Sequence, residues 1–129
     1  MIDFRRFEDI AYSLTDQVHA KEIRTKHFAF LFRRNRIISI GWNELKTTPF
    51  NLIHGYYPLS RIHAEAKCLK NARQKNLKHC SIAVLRIDRN NRLNMSAPCQ
   101  FCAKVLKLFD IEDIYYTDWN GNWIKQINN

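Results

Sequence analysis

Two cysteines three residues apart, Cys99 and Cys102, stand directly behind Pro98 where an apolar helical pattern begins. His63 and Glu65, two apart, open an earlier segment, IHAEAKCL, over residues 62–69. Thiols at i and i+3 lie on one side of a helical turn, so both can meet one ion, and a histidine supplies a third ligand. Three protein ligands leave a fourth position for water, the arrangement of a catalytic zinc site and not of a closed structural one. A carboxylate beside the ligands, itself not a ligand, can carry protons. These residue types suit the activation of water at zinc for attack on the amino-bearing carbon of a cytosine or adenine ring. Glu65 would take a proton from the water, pass it to a ring nitrogen and help the amine leave as ammonia.

Cys-x-x-Cys alone does not decide the matter, because a redox dithiol, half of a zinc ribbon and two buried cysteines share it. A thioredoxin-type site places the pair after an early strand, whereas here it lies late in the chain. A zinc ribbon needs a second Cys-x-x-Cys, and Cys68 and Cys80 are twelve apart. Taken singly, Glu65 is an ordinary acid for a first helical turn and His63 a surface residue. Their joint occurrence with Pro-Cys-x-x-Cys, across the 32 intervening residues 66–97, is the signature of zinc-dependent base deaminases. Cys68 and Cys80 read as buried small hydrophobes, and His19, His27, His54 and His79 as structural residues.

These groups need elements to hold them. Phe4, Phe7, Ile10, Ala11, Leu14 and Val18 recur at helical spacing and predict an amphipathic N-terminal helix. HFAFLF and IISIGWN, on either side of the basic turn RRNR, predict two strands paired as a hairpin. Residues 44–60 contain two of the three prolines and read as a long loop. Ser60 is placed to cap a helix running through Ile62, Ala66, Leu69 and Ala72 or Arg73 to about Asn76. SIAVLRI, nearly all apolar, predicts a buried central strand, followed by the polar connector DRNNRLNMSA. A second ligand-bearing helix starts at Pro98 or Cys99 and turns Val105, Leu106 and Phe109 inward. IEDIYYTD is a fourth strand, and Asn-Gly in WNGN turns it into an antiparallel fifth, NWIKQI. The order α-β-β-α-β-α-β-β predicts a mixed five-stranded sheet with helices on its faces. Both ligand-bearing helices would point their N-termini at the site, where partial positive charge favours thiolates and developing oxyanions.

At 129 residues, with 46% hydrophobic and 26% charged residues, the chain fits one compact domain spanning 1–129. It holds no apolar run long enough to span a bilayer, and its start, MIDFRRFEDIAY, lacks the apolar core of a signal peptide. A cytoplasmic protein is expected, and clustered cysteines in that reducing compartment favour metal or redox chemistry over disulfides. The net charge of +9 is uneven: residues 60–107 carry eleven Lys and Arg against two Asp and Glu. Such a region attracts phosphate-bearing substrates, although KCLKNARQKNLKH alone also reads as a solvated helix face.

With SIGWN, IHAE, SAPCQFC and IYYTD standing in that order, the chain resembles the cytidine/deoxycytidylate deaminase superfamily over about residues 25–125. The resemblance implies a three-layer α/β/α fold around one zinc ion. It implies that Asn43 contacts the substrate's sugar or base, that the backbone at Ala64 helps recognise the base, and that Tyr115 and Tyr116 lie in a loop shaping substrate choice. The hairpin ending is similar to the branch of free-nucleoside and several nucleic-acid-editing deaminases, while Gln100 and Phe101 depart from the PCGxC common in nucleoside enzymes. Three functions are compatible with these residues. The first is deamination of a cytosine-bearing nucleoside or nucleotide, which the basic charge tilts toward a phosphorylated substrate. The second is deamination within single-stranded DNA or RNA, with RRNR and aromatic residues as a binding track. The third is a non-catalytic zinc-stabilised nucleic-acid-binding module. No membrane partner is expected, and association into homo-oligomers is left open.

Overall fold

The computed structural model describes residues 1–18, 25–44, 63–73 and 77–126. Its elements are helix α1 (Phe4–Val18), strands β1 (Lys26–Arg33) and β2 (Arg36–Trp42), helix α2 (Ala64–Ala72), strands β3 (Ser81–Ile87) and β4 (Leu93–Asn94), helix α3 (Gln100–Leu108), and strands β5 (Ile114–Thr117) and β6 (Trp123–Gln126). The sheet runs β2-β1-β3-β5-β6, with only the β3/β5 pair parallel. This five-stranded path, its mixed character and the terminal antiparallel hairpin agree with the sequence pattern.

Alternation along the strands builds two cores. Ala29, Leu31, Ile82, Val84 and Ile114 face α2 and α3, together with Ala64, Cys68, Cys102 and Leu106. Phe28, Phe30, Phe32, Ala83, Leu85 and Ile87 face α1 through Phe7 and Ala11. The α1 side is aromatic: Phe7 stacks on Phe30 at 4.9 Å and Phe4 on Trp123 at 4.7 Å between ring centroids. Such pairs add about 0.5–1.5 kcal/mol each beyond area burial. Trp123 also donates from Nε1 to Glu8 at 3.0 Å, so it belongs to this layer and not to a base-stacking surface.

Three expectations need correction. The polar connector contains β4, which pairs with β3 through Arg86 and Ile87, beyond the Ile82–Val84 stretch that β5 occupies. Two residues are too few to give a periodic signal. The turn into β4 is instead built by Asp88, whose Oδ1 accepts from the amides of Asn90 and Arg92, and Asp118 repeats this pattern with Asn120 and Asn122 before β6. Asn91 and Gly121 take the left-handed position in the two turns. Second, α2 starts at Ala64 with His63 as its N-cap, so Ser60, outside the described residues, is not its cap. The helix also ends at Ala72, short of Asn76, because Arg73 turns left-handed at φ 55°. Third, Tyr115 and Tyr116 are strand residues of β5, not loop residues. Tyr115 packs under α1 against Phe4 and Phe32, while Tyr116 alternates to the face of α2 and α3. His19, His54 and residues 45–60 of the expected loop lie outside the described residues.

Candidate zinc and proton-transfer site

The site forms where the N-termini of α2 and α3 meet above the sheet. His63 is extended at φ −78°, ψ 153°, and its carbonyl accepts the amide of Lys67 at 3.0 Å to open the helix. Its ring turns away from capping, toward the cysteines. Cys99 is the N-cap of α3, and its Sγ accepts the amide of Cys102 at 3.4 Å. That contact is charge-favourable at the positive end of a helix. His63 Nδ1 lies 3.5 Å from Cys99 Sγ and 3.4 Å from Cys102 Sγ, and the three ligand atoms all fall within 4.8 Å of one another.

Those distances test the fit of an ion. Zinc bonds of about 2.0–2.1 Å to nitrogen and about 2.3 Å to sulfur, at tetrahedral angles, put nitrogen and sulfur roughly 3.6 Å apart. The two nitrogen–sulfur separations are within about 0.2 Å of that edge, so the chemistry and spacing of His63, Cys99 and Cys102 suit zinc. The hydrogen bond with Cys102 and the adjacent imidazole of His63 pull the Cys99 thiol down to about 4, which makes it a thiolate at neutral pH. Among the described residues this is the one cluster suited to a metal.

Glu65, in the first turn of α2, is 5% exposed and is not among the three converging ligands. Burial raises its pKa above the ordinary carboxylate value, against the opposing pull of its own backbone amide and of His63. A buried carboxyl with raised proton affinity beside such a cluster has the chemistry to carry protons. The other two cysteines behave differently. Cys68 and Cys80 are free and fully buried, and burial pushes the Cys68 thiol up to about 12.

Asn43 has its amide engaged by the backbone: Oδ1 accepts from the His27 amide and Nδ2 donates to Thr25 O, both at 2.9 Å. It thereby ties the end of β2 to the start of β1. Ala64 is buried at the first position of α2, where the amide has no intrahelical acceptor. RRNR lies at the far end of the sheet: Arg33 pairs with Arg36 at the turn, whereas Phe28 pairs with Trp42 at the site end. Roughly 20 Å of strand between Asn35 and Gly41 separates those arginines from the cluster.

Several supports escaped the sequence reading. A Cβ on Gly41 would collide with Ala64 O and Cys68 N and come within 2.7 Å of Cys68 Cα, so only glycine lets α2 lie this close to β2. Ser39 Oγ donates to Cys68 O at 2.7 Å, fixing the same contact. Buried Ser96 Oγ donates to Val84 O at 2.7 Å and accepts the Thr117 amide at 2.9 Å, anchoring the chain three residues before Cys99 to β3 and β5. SIGWN hinted at Gly41, but nothing in the linear sequence pairs Ser96 with Thr117.

The fold is shared with known structures. Cytidine deaminase from Mycobacterium leprae superimposes with a TM-score of 0.61 at 14% identity, covering 97% of this chain and 94% of that one. The dCMP deaminase from cyanophage S-TIM5 gives 0.58, both in apo form (17% identity, covering 89% and 82%) and in complex with dCMP and dUMP (16% identity, covering 90% and 81%). No curated protein sequence matches the chain significantly. Residues 2–118 match the model of the cytidine and deoxycytidylate deaminase zinc-binding region, and over that span the chain belongs to the cytidine and deoxycytidylate deaminase family.

Proposed function

We propose that this protein is a zinc-dependent hydrolytic deaminase that converts cytosine to uracil in a nucleotide and releases ammonia. The observation that carries the reading is the convergence of His63, Cys99 and Cys102 within 4.8 Å, with the buried carboxyl of Glu65 beside them and outside the ligand set. His63, Cys99 and Cys102 would hold the ion, which when bound supplies Lewis acidity that brings water toward ionisation near neutral pH. Glu65 takes a proton from the attacking water and delivers it to the ring nitrogen beside the amino-bearing carbon; it then takes the second proton, from the hydroxyl now on that carbon, and passes it to the amine, whose bond to the carbon breaks as ammonia leaves. Its buried setting keeps that proton off bulk water. The Ala64 amide is available to the base's carbonyl, and Tyr116, on the same sheet face, borders the substrate. Asn43 would reach the sugar only by exchanging one of its present backbone bonds.

The dCMP and dUMP bound by the cyanophage enzyme are the substrate type that fits the basic charge of residues 60–107. A second reading, deamination within single-stranded nucleic acid, is favoured by Trp119, which is 69% exposed on the rigid Asp118 turn beyond β5. An exposed aromatic of this kind is a platform on which an unpaired base can stack. A free-standing zinc-binding module gives no reason to bury Glu65 beside the metal ligands, since desolvating a carboxyl costs stability. Ammonia release from cytidine, deoxycytidine, CMP, dCMP and cytosine- or adenine-containing oligonucleotides tests the proposal. Release from the cytosine nucleotides, abolished in Glu65→Gln with zinc retained, is expected. No release from any member of the panel by the zinc-loaded protein would refute it.

A further inference from the structure

Arg86 sits next to the site without a role in the chemistry above. Strand alternation puts it on the face of Ile82 and Val84, the face that carries α2, α3 and the zinc ligands. It lies two residues beyond Val84, about 6.6 Å along the strand. The Val84 carbonyl holds Ser96 and so the start of the cysteine segment. The direct cross-strand partners of Arg86 are His27 on β1 and Asn94 on β4. Arg86, His27 and Asn43 therefore form a polar row along the site end of the sheet, just past the ligand-bearing helices.

The Nε–H of Arg86 is buried and has no hydrogen-bond acceptor among the described residues. Buried guanidinium groups are ordinarily paired, and an orphaned donor on one is costly unless something binds there. Among the described residues no carboxylate lies within ion-pair distance of Arg86. Asp88, whose carboxyl feels the charge of Arg86, already accepts from the amides of Asn90 and Arg92 and from Asn94 Nδ2. Guanidinium presents Nε–H and Nη–H as a planar fork that matches two phosphate oxygens.

We propose that Arg86 binds the 5′-phosphate of the substrate, making a cytosine nucleoside monophosphate the preferred substrate over the free nucleoside. The assignment rests on the deaminase reading above and narrows its substrate class. It gives the orphaned donor an acceptor that arrives with the substrate. Arg86 is thus a specificity-determining residue: it contributes to nucleotide affinity and takes no part in proton transfer.

The test compares binding of the product dUMP with deoxyuridine to the zinc-loaded protein by calorimetry, alongside KM and kcat for dCMP and deoxycytidine. A charge-assisted contact of this kind predicts that dUMP binds about ten- to a hundredfold more tightly than deoxyuridine. Arg86→Gln should cut that advantage to less than about threefold, raising KM for dCMP far more than it lowers kcat. Arg86→Met, which removes the orphaned donor, should show the same loss of phosphate preference together with a melting temperature at or above wild type. A merely structural arginine would lower the melting temperature in both variants and leave the dUMP-to-deoxyuridine ratio unchanged, which overturns the proposal. Deamination of deoxycytidine with no preference for dCMP overturns this inference while sparing the deaminase reading. A cytosine oligonucleotide that outcompetes dCMP through Arg86 overturns the monophosphate assignment. Failure of any substrate to react defeats the deaminase reading, and dUMP binding then still decides whether Arg86 holds a phosphate.

Discussion

Replacing Gly41 by alanine probes the contact that sets the height of α2 above the sheet. The new Cβ would overlap Ala64 O and Cys68 N and stand 2.7 Å from Cys68 Cα. Relaxed carbon contacts need about 3.5–4.0 Å. The helix must therefore retreat by roughly 1 Å, because the obstructing atoms are backbone and cannot rotate aside. Overpacking of this kind costs about 1–3 kcal/mol. The same retreat strains the 2.7 Å bond from Ser39 Oγ to Cys68 O and the 3.4 Å contact from Cys68 Sγ to Ser39 O. Each of these is worth at most about 1 kcal/mol. The summed loss, about 1–5 kcal/mol, corresponds to a fall in Tm on the order of 10 °C for a chain of this size. Because α2 carries His63 and Glu65, a shift of about 1 Å should also lower kcat/KM by about a hundredfold. Thermal unfolding followed by circular dichroism, with deamination assayed at a temperature where the variant is folded, measures both effects. A Gly41→Ala protein with the wild-type Tm and activity would refute the argument that glycine is required for helix approach.

Glu65→Gln should keep full zinc content and a folded spectrum while reducing kcat by about 10²–10⁴, read from metal analysis and ammonia release. After zinc is removed with a chelator, Cys99 should be the first thiol alkylated at pH 7, with Cys68 and Cys80 modified only on unfolding; peptide mass spectrometry with and without restored zinc checks the order. Ser96→Ala leaves the buried Thr117 amide without its side-chain acceptor. It should destabilise the protein by about 1–3 kcal/mol in denaturant unfolding. Asp88 is held below its ordinary 3.8, first by the Arg92 amide, so it favours the folded state above its unfolded pKa and loses that effect as pH falls through its folded value. Replacement by asparagine should flatten the acid limb of the stability profile below about pH 4.

The parts of this molecule written in local chemistry were legible in the sequence. Helix α1, both hairpins and the central strand follow from periodicity and turn residues, since each is decided within one stretch of chain. The metal cluster was legible for a different reason. Thiols at i and i+3 are forced onto one side of a helical turn, and His63 and Glu65 are held in one helix start. Only the distance between two helix N-termini remained for the fold to set, and the sheet sets it through Ser96 on one side and Gly41 on the other.

What stayed hidden depends on register. Nothing near Arg86 in the chain announces His27, far earlier in the sequence, as its cross-strand partner, nor that β5 stops short and leaves room for β4 beside it. Asn43 carried the reverse difficulty: family resemblance suggested a substrate contact, while the folded chain occupies its amide with Thr25 and His27. The basic charge likewise divides only in three dimensions. RRNR turns at the end of the sheet remote from the His63, Cys99 and Cys102 cluster, whereas Arg86, unremarkable within SIAVLRI, lies on the face that carries that cluster. A count of positive residues along the sequence cannot distinguish the two. The phosphate dependence of binding in Arg86→Gln, set against an Arg34→Gly control at the remote turn, therefore separates local recognition from net charge. Arg34 adopts a left-handed φ of 57°. Glycine accepts that conformation readily, so this control removes a charge without straining the turn. If Arg34→Gly weakens dUMP binding as much as Arg86→Gln does, the protein's overall field governs affinity and the polar row at the site end does not.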